Sequence, residues 1–184
     1  NGWDAFSPAA ADKAISVPGV RFVSHVRGDR GRVGDSDAGI NGVDPSTIEQ
    51  ATSVDVTGAG LGSLHGNQAV VKNRFAEANH IAIGDAFTFR APDGRATKLV
   101  AVGIFEAPKL DSLLSAVVVS NATFDRVLPR PRDAYAFVDV SGGARDAATK
   151  ALEATYASDQ VVKVETRDGF AAAKSEWLSK MLNV

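Results

Sequence analysis

Three histidines, His25, His65 and His80, are the only imidazoles in the 184 residues, and there is no cysteine. A histidine metal site visible in sequence brings two ligands together at short spacing, as in HxxxH or HExxH. These three are scattered and read as surface or packing residues. The missing cysteines exclude disulfides, thiolate zinc sites and cysteine nucleophiles. Asp29, Asp35, Asp37, Asn41 and Asp44 form an acidic stretch that invites a calcium loop. Counting from Asp35, however, Ile40 falls where an EF-hand loop needs glycine and Ser46 where it needs a bidentate glutamate. Ser63 and His65 pair the right residue types for acyl transfer. The surrounding LGSLH lacks the glycines of a nucleophile elbow, and triad partners come from separate segments. No catalytic, cofactor-binding or metal-binding residues are assigned.

The segment VTGAGLGSLHGN (56–67) resembles a dinucleotide-binding turn. A fingerprint of that kind needs a third glycine where Ser63 stands, and a helix whose N-terminus meets the pyrophosphate. His65-Gly66-Asn67 breaks the chain after one turn, and a strand-like AVV follows. Gly58, Gly60 and Gly62 are therefore expected to form a seam, an inter-subdomain turn or hinge. Gly60→Ala is expected to alter relative motion and leave nucleotide binding absent.

The elements around these residues follow from patterning. Hydrophobic residues make up 45% of the chain and charged residues 23%, an ordinary globular composition. The net charge of −2 offers no basic field for a phosphate backbone, so nucleic-acid binding is disfavoured. No apolar run reaches the roughly 20 residues of a membrane helix. Ser7 and Pro8 start a first helix that points Ala11, Ala14 and Ile15 inward, and Pro18-Gly19 stops it. Residues 20–26 read as a strand and 28–39 as a hairpin or loop. A strand with Ile40 and Val43, a turn at Asp44-Pro45-Ser46 and a helical turn at 47–51 follow.

The middle of the chain is β-rich. It has a strand and short helix over 69–78, a hairpin over 81–106 turning at Asp93-Gly94, and a buried strand at 116–120. A short helix with Asn121 as cap comes next. The C-terminal part then reads as a βαβ unit. Its strands are 135–140 and 161–166, and its helix points Ala147, Ala148, Ala151 and Leu152 inward. A last helix after Asp168 carries Trp177, Leu178 and Met181 on an apolar face. That face is either core packing or a juxtamembrane coupling surface, where tryptophan and lysine favour the interface. The expected fold is α+β. A βαβ-containing subdomain is formed by both chain ends (1–59 and 129–184), with a small β-rich subdomain (60–128) inserted between them.

An ordered set of short motifs spans roughly residues 8–128. It comprises Pro18-Gly19-Val20, Gly42-Val43-Asp44-Pro45, Ala76, Gly84-Asp85, Val102-Gly103-Ile104 and the run 117–120. In this order they resemble the MacB-like periplasmic core domain of FtsX-type ABC transporter permeases. The loop 28–39 and the LPRPRDAY junction match no pattern of that family. The resemblance implies a porter-like subdomain with a β-rich insert and no chemistry in the domain itself. It implies a place on the extracytoplasmic face of a bacterial membrane, between two membrane helices that flank the chain. A cytoplasmic ATP-binding subunit or domain would be the energy source, and a second permease copy or an extracytoplasmic protein a further partner. The implied role is coupling membrane-helix motion to export, lipoprotein handling or signalling. The alternative is a free-standing extracytoplasmic module that binds a ligand or protein.

Overall fold

A computed structural model of the chain describes residues 5–106, 113–128, 132–159, 161–166 and 169. The first helix, α1, spans Pro8–Asp12 and tightens into a 3-10 turn over Lys13–Ser16. Ser7 precedes it in extended conformation. Its carbonyl accepts from Ala10 N at 2.8 Å, but its side chain makes no cap bond. Ala11 and Ala14 are buried as expected. Ile15 is not: it is 52% exposed, because the tighter 3-10 turn rotates it off the inner face.

Two strands follow, β1 (Val20–Val33) and β2 (Ser36–Val43), joined as an antiparallel hairpin that resolves the ambiguous segment 28–39. Next come α2 (Ile48–Ala51), β3 (Asp55–Gly58), β4 (Gln68–Lys72) and α3 (Asn73–Ala78). The chain continues through β5 (Ala86–Arg90), β6 (Ala96–Glu106), β7 (Val117–Ser120) and α4 (Asn121–Val127). Its last described elements are β8 (Asp133–Val140) and α5 (Arg145–Tyr156). The cap of α4 is Ser120, not Asn121: Ser120 Oγ accepts from Thr123 N at 3.2 Å. Ser120 is the last extended residue, so Asn121 already lies in the first turn.

The strands form one mixed sheet whose pairings close on themselves. β1 pairs with β2, β2 runs parallel to β7, and β7 is antiparallel to β4. β4 runs parallel to β6, β6 is antiparallel to β5, and β5 returns to β1. The result is a six-stranded ring, with β3 added outside β6 and β8 outside β1. Closure rests on two residue pairs only, Arg32 with Arg90 and Val33 with Phe89. Alternate residues of each strand point inward and fill the ring. Val33, Ile40, Val71, Phe89, Leu99, Val117 and Val119 are buried there, and Phe124 and Val127 of α4 complete the cluster. A second cluster on the outer face gathers Val26, Val43, Ile48, Leu61, Val70, Phe105 and Val118.

β1 has 14 residues, about 45 Å if straight at 3.3 Å per residue. It therefore serves two bodies. Residues 20–27 pair with β8, and its far end closes the ring. The ring thus takes two strands from the segment before residue 60. The N-terminal segment and α5 meet in a third cluster, where Ala14 and Val17 pack on Leu152 and Tyr156. In α5 the buried positions are Ala148, Leu152 and Tyr156, at i, i+4 and i+8. Ala147, expected inside, is exposed because it sits about 100° round the helix from Ala148.

Residues 161–166 form no strand, contrary to the expected βαβ unit. Val162 and Val164 still pack on the third cluster, and Val161, Lys163 and Glu165 are exposed. Asp159 Oδ1 accepts from Val161 N at 3.0 Å and Val162 N at 3.1 Å, so this turn takes the first two amides. The alternation in the sequence records burial of one face and needs no ladder.

Candidate functional site: the polar joint between ring and terminal layer

The glycine segment lies against α2 and β6. Gly58 has φ +92°, and a Cβ there would stand 2.6 Å from Val102 O. Glycine is required at that point by both backbone conformation and space. Gly60 has ordinary dihedrals and borders Glu49. Gly62 N donates to Glu49 Oε1 at 2.8 Å. Leu61 and Leu64 are buried in the outer cluster. The amide a phosphate would need is therefore held by a carboxylate, and only a short 3-10 turn, Leu61–Ser63, follows.

The serine–histidine pairing does not form. Ser63 Oγ donates to Gly60 O at 2.8 Å, and His65 Nδ1 lies 2.8 Å from Ser63 O rather than from a hydroxyl. His80 is exposed beyond α3, at φ 54°. The acidic stretch is spread along the β1–β2 hairpin. Asp44 turns its carboxylate onto Ser46 N and Oγ. Among the described residues no three acidic or imidazole groups gather as metal ligands. Trp177, Leu178 and Met181 lie outside the described residues. An open groove of about 370 Å³, bordered by Asp44, Pro45, Leu64, His65, Ser120 and Asn121, runs over the N-terminal end of α4.

The third histidine sits where three elements meet. Asp133 opens β8, where the chain returns from the ring. Its backbone exchanges two hydrogen bonds of 2.9 Å with Phe6. Its side chain is fully buried, and Oδ2 lies 2.6 Å from His25 Nδ1. The other ring nitrogen, Nε2, lies 3.1 Å from Oδ1 of Asp12 on α1. The His25 side chain is 18% exposed and that of Asp12 65%. The hydrogen bond that His25 donates to Asp133 is the largest influence on the imidazole and raises its pKa above the ordinary 6.5. Burial opposes this, and the charges of Asp133 and Asp12 add to it.

Arg27, two residues along β1, carries the joint to the ring. One guanidinium nitrogen pairs with Asp125 of α4 and also donates to Asn121 O at 3.2 Å. Its Nε and Asp133 Oδ1 are buried, make no hydrogen bond, and face each other at 4.0 Å. Asn41 Nδ2 donates to Arg27 O at 2.8 Å, and Asn41 Oδ1 accepts from Ser115 N at 2.6 Å. Strand β1 is thereby tied to β8 through the buried Asp133 carboxylate, and to α1 and α4 through the more exposed Asp12 and Asp125. Sequence reasoning took His25 as a surface or packing residue and missed its pairing with Asp133. They are 108 positions apart, and each alone looks like an ordinary strand residue.

A six-stranded ring with a terminal α/β layer beside it is an α+β fold, the porter-like architecture that the motif order implied. Solved structures share it. The extracellular domain of the noncanonic ABC-type transporter YknZ from Gram-positive bacteria superposes with a TM-score of 0.59 at 15% identity, covering 88% of this chain and 90% of that one. A permease-protein domain from Porphyromonas gingivalis gives 0.55 at 17% identity, over 85% and 72% of the two chains. The periplasmic region of MacB from Actinobacillus actinomycetemcomitans gives 0.55 at 13% identity, over 83% and 75%. No protein-family model matches the chain, and no curated protein matches it in sequence. At these identities the likeness concerns the fold.

Proposed function

We propose that the chain is a non-catalytic extracytoplasmic domain of an ABC transporter permease. The observation that carries this reading is fold likeness over more than four-fifths of the chain to three domains, one described as part of an ABC-type transporter, one as part of a permease and one as the periplasmic region of MacB. The three compared domains are extracellular, periplasmic or from a permease by their own descriptions, and the motif order points the same way. On this reading the domain stands on the outer face of a bacterial membrane. It is driven through flanking membrane helices by a cytoplasmic ATP-binding subunit or domain, and a second permease copy or an extracytoplasmic protein completes the assembly. It couples helix motion to export, lipoprotein handling or signalling.

The proposal includes a division of labour. Residues 1–59 and 129–184 form the part nearest the membrane and 60–128 the outer part, with the β1–β2 hairpin reaching from the first into the second. Gly58, Gly60 and Gly62 mark the crossing, where the two parts bend relative to one another. Trp177, Leu178 and Met181 belong to a coupling helix leading to the bilayer. The coding sequence decides the main point. It should encode an apolar helix of about 20 residues shortly before Asn1 and another soon after Val184. Polar flanks on both sides would refute the reading.

A further inference from the structure

We propose that His25 is a proton-operated switch that sets how the N-terminal helix α1 and the ring helix α4 are held to strand β1. The argument is geometric. The two ring nitrogens of His25 face two carboxylates, Asp133 at 2.6 Å and Asp12 at 3.1 Å. A carboxylate only accepts, so both contacts are hydrogen bonds only when both nitrogens carry protons, that is, in the imidazolium. A neutral imidazole has one N–H and one lone pair. It keeps one carboxylate and repels the other.

Which contact survives follows from burial. Asp133 is fully buried with the nearer oxygen, whereas Asp12 is largely exposed and can turn to water. Loss of the proton from Nε2 to solvent therefore releases Asp12, and with it a tie between α1 and β1. It also leaves Asp133 facing a neutral partner. The cation next in line is Arg27, whose Nε stands 4.0 Å from Asp133 Oδ1 as an ion pair without a hydrogen bond. Closing that gap gives both atoms a hydrogen bond and draws the guanidinium away from Asp125 on α4. The charged groups facing the joint are thus Asp12 from α1, Asp133 from β8, Arg27 from β1 itself and Asp125 from α4. One proton moves both attachments in the same sense. α1 is held at low pH and freed at high pH, while Arg27 shifts from α4 toward β8 as pH rises. The raised His25 pKa places this exchange above pH 6.5.

The inference concerns this chain alone and stands whether or not membrane helices flank it. The test is an NMR titration of the whole chain from pH 5 to 9, following the imidazole Cε1–H signals and the backbone amides. The His25 midpoint should lie above 6.5, and amides of residues 11–17 and of Asn121–Val127 should shift with that same midpoint. Asp12→Asn, at an exposed position, should lower the midpoint by about half a unit, the scale of a surface ion pair. His25→Gln should abolish the step in both helices. A His25 midpoint at or below 6.5 overturns the proposal. So does indifference of either helix to it, an unmoved midpoint in Asp12→Asn, or a step that survives in His25→Gln.

Discussion

Replacing Gly58 and Gly60 separately with alanine separates backbone constraint from mere proximity. At Gly58 the φ of +92° would cost alanine about 1–2 kcal/mol. The new Cβ would also meet Val102 O at 2.6 Å. That carbonyl is fixed, because it accepts from Ala59 N at 2.9 Å and the β3–β6 ladder holds both strands. Forcing the strands apart adds about 1–3 kcal/mol. Reduced freedom of the unfolded chain returns about 0.4–1 kcal/mol. The net loss for Gly58→Ala is then about 1–5 kcal/mol. Gly60 differs on both counts. Its φ of −72° suits alanine, and the obstacle is Glu49 Oε1 at 2.5 Å, the free end of a flexible side chain. Swinging it aside forfeits the bond to Gly62 N, about 0.5–1.5 kcal/mol, against the same gain in the unfolded state, so the net loss is about 0–1 kcal/mol. Urea denaturation followed by circular dichroism reads the difference. With a slope of about 2 kcal/mol per molar, the midpoint should fall by about 0.5–2.5 M for Gly58→Ala and by about 0.5 M or less for Gly60→Ala. A Gly58→Ala midpoint equal to or above that of Gly60→Ala would refute the close-packing argument.

Phe89→Ala should be among the most damaging core changes, at about 3–5 kcal/mol by the same assay. Phe89 is fully buried and belongs to one of the two residue pairs that close the ring; a loss below about 1 kcal/mol would mean the ring is not closed there. The two tyrosines of the chain, Tyr135 and Tyr156, are both pushed above pKa 10 by burial. Absorbance at 295 nm should therefore show no full phenolate step at pH 10 in the folded chain. Because the folded state favours the protonated phenol, stability is intact below pH 10 and falls as pH rises beyond it. Calorimetric titration with NAD or ATP should give no heat of binding, since Glu49 holds the Gly62 amide; measurable affinity would overturn this account of the glycine segment.

Local elements were legible where one face of a segment had to be buried. The runs 69–78, 116–120 and 135–140 fall as expected because alternation and turn residues are local signals. Errors arose where a neighbour decided the outcome. Ile15 faces solvent because the helix tightens after Asp12, and residues 161–166 lose their ladder to the Asp159 turn. Ring closure was illegible for a different reason. It joins Val33 to Phe89 across more than fifty residues, and nothing local in either strand specifies the partner. The motif order gave the fold class, but order along a chain does not reveal that β1 belongs to both bodies.

The same property of β1 explains why the polar joint escaped notice and why it matters. A strand shared by two packed bodies transmits displacement between them unless its attachments can change. Apolar contacts along β1 are non-directional and hold it in either setting. His25 and Arg27 are different. They offer a fixed number of donors to Asp12, Asp133 and Asp125, and Arg27 Nε and Asp133 Oδ1 face each other at 4.0 Å as an ion pair without a hydrogen bond. Buried polar groups in a rigid core are normally all paired. An ion pair at this separation beside a titratable imidazole has room to close when the imidazole loses its charge. Arg27→Lys offers the sharpest discrimination. Lysine keeps the charge but has no Nε beside the chain and no planar fork. It should hold Asp125 while failing to approach Asp133. The amides of Asn121–Val127 should then lose their response to His25 protonation, and those of residues 11–17 should keep theirs. Loss of both responses, or of neither, would show that α1 and α4 are not coupled to His25 by separate contacts.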